Sequence, residues 1–150
     1  MLETSETFTI NAPIEAVWSY ASDMRNWAAN MPFFDTFQQL GEQESRWTLK
    51  PKLGPFTRNV RMLVTITEWE PPSHIGFTLH GETDPVDGNG SFDARVLGPE
   101  RTDVTLALRL DSHGPLAPMM EGLARPVLPR MARSFAQSLT RDIERGAGEG

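Results

Sequence analysis

The stretch from Gly114 to Arg145, GPLAPMMEGLARPVLPRMARSFAQSLTRDIER, constrains the fold of this chain more than any other. Apolar residues recur through it at steps of three and four: Leu116, Met120, Leu123, Val127, Met131, Phe135 and Leu139. That spacing puts them on one face of a helix, while Arg125, Arg133, Arg141 and Arg145 fall mostly off the stripe. Gly114-Pro115 opens the segment, and Gly146 followed by Ala-Gly-Glu-Gly is expected to stop it. Pro126 and Pro129 lie inside. Each removes an amide donor and crowds the carbonyl four residues back, which predicts a kink or short break near 124–129. An amphipathic helix of this length draws its stability from packing, so it needs a broad apolar surface to lie on.

The upstream sequence offers that surface. Glu3–Ile10 alternates, with Phe8 and Ile10 on one face, and reads as a strand. Asn11-Ala12-Pro13 then opens a helix whose apolar face is Ile14, Val17, Trp18 and Ala21. Ser22 or Asp23 caps a second short helix, Met24 to about Asn30, which Met31-Pro32 ends. Six strand-like stretches follow: Asp35–Gly41, Ser45–Lys50, Phe56–Trp69, His74–Gly81, Ser91–Leu97 and Thr102–Ser112. Pro51–Pro55, Pro71-Pro72-Ser73, Glu82–Gly90 and Gly98-Pro99-Glu100 read as the breaks between the later ones. Strands joined by short turns form an antiparallel meander. One apolar face per strand implies one covered face of the sheet, and only the C-terminal helix is long enough to cover it. A curved sheet around one helix leaves room for a pocket.

Charge and composition narrow the function. The formal net charge is −6, with scattered Arg and only Lys50 and Lys52 as lysines. A nucleic-acid-binding face needs a basic patch, so that class is excluded. There is no cysteine, which removes disulfides, thiolate metal sites and cysteine nucleophiles. No apolar run reaches the length of a membrane span, and the start MLETSETF lacks a signal peptide's basic and apolar regions. The expectation is a cytoplasmic single domain over 1–145, with 146–150 as a flexible tail.

Ala12-Pro13-x-Glu15-x-Val17-Trp18, followed by Asp23, Trp27 and Pro32, resembles the opening of the START-like (SRPBCC) superfamily. Gly54-Pro55-Phe56, Glu68-x-Glu70-Pro71-Pro72 and Gly114-x-Leu116-Ala117-Pro118 resemble its CoxG branch, named for a carbon monoxide dehydrogenase accessory protein and close to the polyketide cyclases. The resemblance implies an α+β helix-grip fold: a curved seven-stranded antiparallel sheet wrapped around a long C-terminal helix, with two short helices between strands 1 and 2. It also implies an apolar cavity for a hydrophobic small molecule. Longer CoxG members carry a linker and a hydrophobic C-terminal segment; this chain ends at Gly150, so membrane tethering is not expected.

Cavity-lining candidates follow from the strand and helix patterns. They are Trp27, Phe33 and Phe34 at the mouth, and Val60, Met62, Val64, Phe77, Leu79, Phe92, Ala94, Leu106 and Leu108 on the sheet. Leu123, Met131 and Phe135 are the candidates on the helix. The mouth is expected beside Phe33, Phe34 and the 82–90 loop. Methionines at 62, 119, 120 and 131 suit either an irregular core or an adaptable site. Arg58, Arg61 and Glu68 are candidate polar anchors; Glu68 shares the parity of Val60, Met62, Val64 and Ile66. His74 and His113 stand at turns, and His80 alternates away from Ile75, Phe77 and Leu79. No histidine pair has metal-ligand spacing, and no serine elbow, phosphate loop or dinucleotide fingerprint occurs. No metal, cofactor or catalytic residue is therefore expected. The expected function is binding or carriage of a lipid-, quinone- or polyketide-like molecule. The alternatives are a polyketide cyclase/dehydratase-type enzyme or a protein-interaction module with a vestigial cavity.

Overall fold

A computed structural model describes residues 1–53 and 55–149; Gly54 of the Gly54-Pro55-Phe56 motif lies outside the described residues. The first strand β1 (Leu2–Ile10) is followed by helices α1 (Ile14–Ala21) and α2 (Met24–Ala29). Strands β2 (Phe34–Gln39), β3 (Glu44–Leu49), β4 (Lys52–Leu53), β5 (Phe56–Thr57), β6 (Val60–Glu70), β7 (His74–Gly81), β8 (Val86–Gly98) and β9 (Arg101–Ser112) come next. Helices α3 (Ala117–Ala124) and α4 (Leu128–Glu149) close the chain. Seven strands form one antiparallel sheet in the order β1-β9-β8-β7-β6-β3-β2, and β4 pairs with β5 apart from it. This is the helix-grip architecture: a curved, open antiparallel sheet with the long C-terminal helix against it.

Alternation works as read over most of the sheet. Phe92 pairs with Leu106 and Ile75, and Ala94 with Val104, all from the face that meets the helices. Phe92, Ile75 and Val104 are fully buried; burying a side chain of that size stabilises the fold by about 1.5–3 kcal/mol. On α4 the buried face is Leu128, Phe135, Ala136, Leu139 and Ile143, spaced at helical intervals.

Four elements depart from the sequence reading. The expected strand from 56 to 69 divides at Arg58-Asn59 into β5 and β6. The expected 82–90 loop is only Glu82–Pro85, because β8 begins at Val86 and pairs with β7 from Asp87 onward. The helix continues past Gly146 to Glu149 instead of stopping there. Finally, the break expected near the two prolines is present at Arg125–Val127, but it resets the helical phase. Leu116, Leu123 and Val127, predicted to face inward, are 59%, 69% and 45% exposed. Pro118 lies in the first turn of α3 and Pro129 in that of α4, where a missing amide costs nothing.

The short helices are fixed by polar contacts. The Arg25 amide donates to the Asp23 carboxylate at 2.9 Å, capping α2. The Trp27 indole N–H donates to the Ala21 carbonyl at 2.7 Å, tying α2 back to α1. The Tyr20 hydroxyl donates to Asp142 on α4 at 2.8 Å and accepts from the Asn30 amide at 2.7 Å, while Ser138 donates to Asn30. Burial, then the Asp142 carboxylate, pushes the Tyr20 phenol up to about 12.

Candidate ligand cavity

A cavity of about 120 Å³ lies between the sheet and the first two turns of α4. The sheet contributes Thr4, Trp47, Met62, Phe77, Leu79, Ser91, Leu106, Ala107 and Leu108 to its wall. The helical side contributes Trp27 and Met31, from α2 and the turn after it, and Leu128, Met131, Ala132 and Phe135 from α4. Cross-strand register explains the assembly: Trp47 pairs with Met62, and Leu108 pairs with Thr4. Trp27 is the hub of the inner wall, with its ring edge-on to Phe77 at 5.6 Å and to Phe92 at 5.8 Å, and tilted against Phe135 at 5.8 Å. Among the described residues, Thr4 and Ser91 are the hydroxyl-bearing members of the wall, and none of its members ionises near neutral pH. Such a space favours an apolar occupant over water. For scale, an apolar cavity of about 150 Å³ stays dry and holds benzene.

Of the residues expected to line the cavity, Trp27, Met62, Phe77, Leu79, Leu106, Leu108, Met131 and Phe135 are in its wall. Val64, Phe92 and Ala94 belong to the filled core beside it. Val60, at the start of β6, is outside the wall. Phe33 and Phe34 are not at a mouth: Phe33 sits in a turn with φ 63° and is 54% exposed, and Phe34 is 37% exposed. Leu123 lies out on α3. Trp47, Met31, Leu128 and Ala132 line the wall without having been expected there. The alternation Ser45-Trp47-Leu49 carries the signal for Trp47, since all three are buried on β3.

None of the three polar anchors reaches the cavity. Arg58 pairs with Asp84 and is half exposed. Arg61 alternates away from Met62 and is exposed. For Glu68 the cause is a bulge: the β6–β7 register shifts between Ile66 and Glu68, so that Glu68 pairs with Gly76. One extra residue flips the facing of everything after it. Glu68 therefore turns to the outer face, where its carboxylate crowds the space over Gly76, while Trp69 meets Trp18 edge-on at 5.0 Å.

The same bulge completes a polar cluster that the turn setting of His74 did not suggest. The His74 Nδ1 lies 2.6 Å from Asp93 and its Nε2 3.4 Å from Glu68, with Glu70 at 3.9 Å. The Asp93 hydrogen bond, opposed by partial burial and reinforced by Glu68, raises the imidazole above its ordinary value. His80 and His113 share Asp87 at 2.7 and 2.8 Å, and their hydrogen bonds hold its carboxyl below the usual range. Both clusters lie outside the cavity. Among the described residues no group of three or more His, Asp or Glu is arranged to hold a metal ion.

The solved structures that resemble this fold share it at low identity. A conserved protein from Geobacillus kaustophilus matches with a TM-score of 0.83 at 18% identity, over 96% of each chain. A START superfamily protein from Mycobacterium smegmatis matches at 0.73 and 18% identity, over 95% of this chain and 97% of that one. The Zhui aromatase/cyclase from Streptomyces sp. R1128 matches at 0.67 and 17% identity, over 95% and 93%. No curated protein matches the sequence. The family model described as "Polyketide cyclase / dehydrase and lipid transport" matches residues 1–144. A match over nearly the whole chain, on a helix-grip fold with an apolar cavity, places the protein in the polyketide cyclase/dehydrase and lipid transport family of START-like domains.

Proposed function

We propose that this domain binds an apolar small molecule in the sheet–helix cavity and acts as a carrier or receptor. The observation that carries the reading is a wall of Trp, Phe, Leu and Met side chains with no ionisable member among the described residues. General acid–base catalysis needs a titratable group within hydrogen-bond reach of the reacting atoms, and this wall supplies none. A volume of about 120 Å³ suits one small ring or a short branched chain, such as the ring of a quinone or the end of an isoprenoid tail. The resemblance to the CoxG branch in the turn residues Glu68 to Pro72 and Gly114 to Pro118 fits such cargo, as does a cytoplasmic site of action. Thr4 is the hydroxyl placed to orient a polar end of the ligand.

Ring closure is the second reading, favoured by the family description and by the aromatase/cyclase among the similar folds. Cavity shape alone would then steer a reactive chain, with Thr4 and Ser91 as its polar guides.

Native mass spectrometry of the purified protein, followed by organic extraction, tests the first reading directly. The expected result is a co-purifying apolar molecule, displaced by a benzoquinone analogue. Leu106→Trp, which places a larger ring in the wall, is expected to abolish that binding while leaving the protein folded. A folded Leu106→Trp variant that binds the analogue as tightly as the parent refutes the site.

A further inference from the structure

The helix α3 presents an apolar surface that none of the described residues covers. Leu116, Met119, Leu123 and Val127 are 59%, 57%, 69% and 45% exposed. Their spacing of three, four and four aligns them along one side of the helix and the turn that follows. The opposite side of α3 does the packing, with Met120 and Ala124 partly buried and Glu121 reaching the Ser112 amide at 3.4 Å.

The charge around this strip is opposite to that of the molecule. Residues 114–133 carry Arg125, Arg130 and Arg133 against Glu121, a net of +2; with −6 for the whole chain, the remainder carries −8. All three arginines are exposed. An acidic protein that gathers a basic rim around an unburied apolar helix face has the charge pattern of a segment that lies in an anionic interface. The strip also runs directly into the cavity: Leu128, next after Val127, and Met131 are both in its wall.

We propose that α3 docks this domain on the surface of an anionic phospholipid bilayer, with Leu116, Met119, Leu123 and Val127 entering the headgroup boundary and Arg125 and Arg130 contacting lipid phosphates. The docked orientation sets the first turn of α4, and thus one wall of the cavity, against the membrane. Docking is independent of what the cavity holds. It also differs from tethering by a transmembrane segment; no described helix is long and apolar enough to cross a membrane.

The test is co-sedimentation of the full chain with sucrose-loaded vesicles of equal parts phosphatidylglycerol and phosphatidylcholine, and with vesicles of phosphatidylcholine alone. The parent is expected to pellet with the anionic vesicles at low salt and to be released at high salt. The double variant Met119→Ser, Leu123→Ser is expected to partition about a hundredfold more weakly, since two half-inserted side chains are lost. The double variant Arg125→Gln, Arg130→Gln is expected to lose about 25-fold on anionic vesicles and little on neutral ones. All four positions are exposed, and an unchanged melting curve confirms that each variant is folded. A parent that stays in the supernatant with anionic vesicles overturns the proposal. Equal pelleting by the parent and both variants does the same. So does gel filtration in which the parent elutes as a dimer and Met119→Ser, Leu123→Ser as a monomer, because the strip would then be covered by a second copy of this chain.

Discussion

Phe135→Ala tests both the packing of α4 and the existence of the cavity. Phe135 is 7% exposed, lines the void and packs against Trp27 with ring centroids 5.8 Å apart. Removing the ring opens roughly 100 Å³, which at about 24 cal/mol per Å³ costs about 2.4 kcal/mol. Lost transfer energy adds about 2 kcal/mol, and the lost aromatic pair about 1 kcal/mol. These sums assume a side chain packed on every side, whereas one flank of Phe135 already faces empty space. The net cost is therefore about 3 kcal/mol, at the low end of the range for such truncations. For a domain of 150 residues this lowers Tm by about 6–12 °C. The new void joins the existing one of about 120 Å³, so the variant should accept a two-ring molecule. Naphthalene at about 100 times its Kd would restore about 2.7 kcal/mol in the variant, and less in the parent, whose cavity is too small for it. Differential scanning fluorimetry with and without naphthalene reads both effects. A variant that melts within about 2 °C of the parent, or a parent and variant that naphthalene stabilises equally, would refute the argument.

Two other perturbations follow from the polar contacts. Tyr20→Phe leaves the Asp142 carboxylate and the Asn30 amide without their shared hydroxyl and should cost about 1 kcal/mol by urea denaturation, because the partly open site lets water replace the phenol. Since the folded phenol titrates near 12 and the free one near 10.0, the parent also loses stability as pH rises from 10 toward 12, and the Phe variant should lack that loss. His74 faces Asp93, Glu68 and Glu70, and its pKa is raised in the fold. Its contribution is complete below the unfolded value of about 6.5 and disappears as pH rises through the folded value. The stability advantage of the parent over His74→Gln should therefore be largest in mild acid and shrink in alkali; an advantage that grows with pH would contradict the cluster.

The sequence is legible wherever an element runs without interruption. β7 has the bounds that alternation predicts, His74 to Gly81, and the chain breaks between α3 and α4 at the prolines. Periodicity, however, reports facing only within one phase. At Thr67 a single inserted residue reverses the parity of β6, so Glu68 goes out and Trp69 goes in. At Pro126 the helix restarts, and an apolar stripe continuous in the sequence divides into a buried half on α4 and an exposed half on α3. Both errors have one origin. A bulge and a helix break are set by tertiary pairing, and neither leaves a mark in the hydrophobic pattern that runs through it. Trp47 was missed for a different reason: its strand is short, with only three buried positions, Ser45, Trp47 and Leu49.

The position of the cavity follows from two such interruptions acting together. Along β8 the inward positions are Val96, Ala94, Phe92, Gly90 and Gly88, and they oppose Val104, Leu106, Leu108 and Leu110 on β9 from Ala94 onward. Phe92 fills its layer completely. One pair further, Gly90 supplies no side chain, and the Phe77 ring lies over it; a Cβ there would fall 2.5 Å from the ring and 2.7 Å from the Ala107 carbonyl. The layer that Phe92 closes at one end of the sheet is thus left open at the other, between Phe77, Leu79, Leu106 and Leu108. A continuous helix would run its next apolar turn over that opening. The break at Arg125–Val127 instead carries α3 away, so that Leu128 and Met131 are the last helical residues over the void. Missing side chains on β8 and the proline break before α4 therefore produce one empty space at the same end of the fold. Its size is set by how far the helix stops short of covering the glycines.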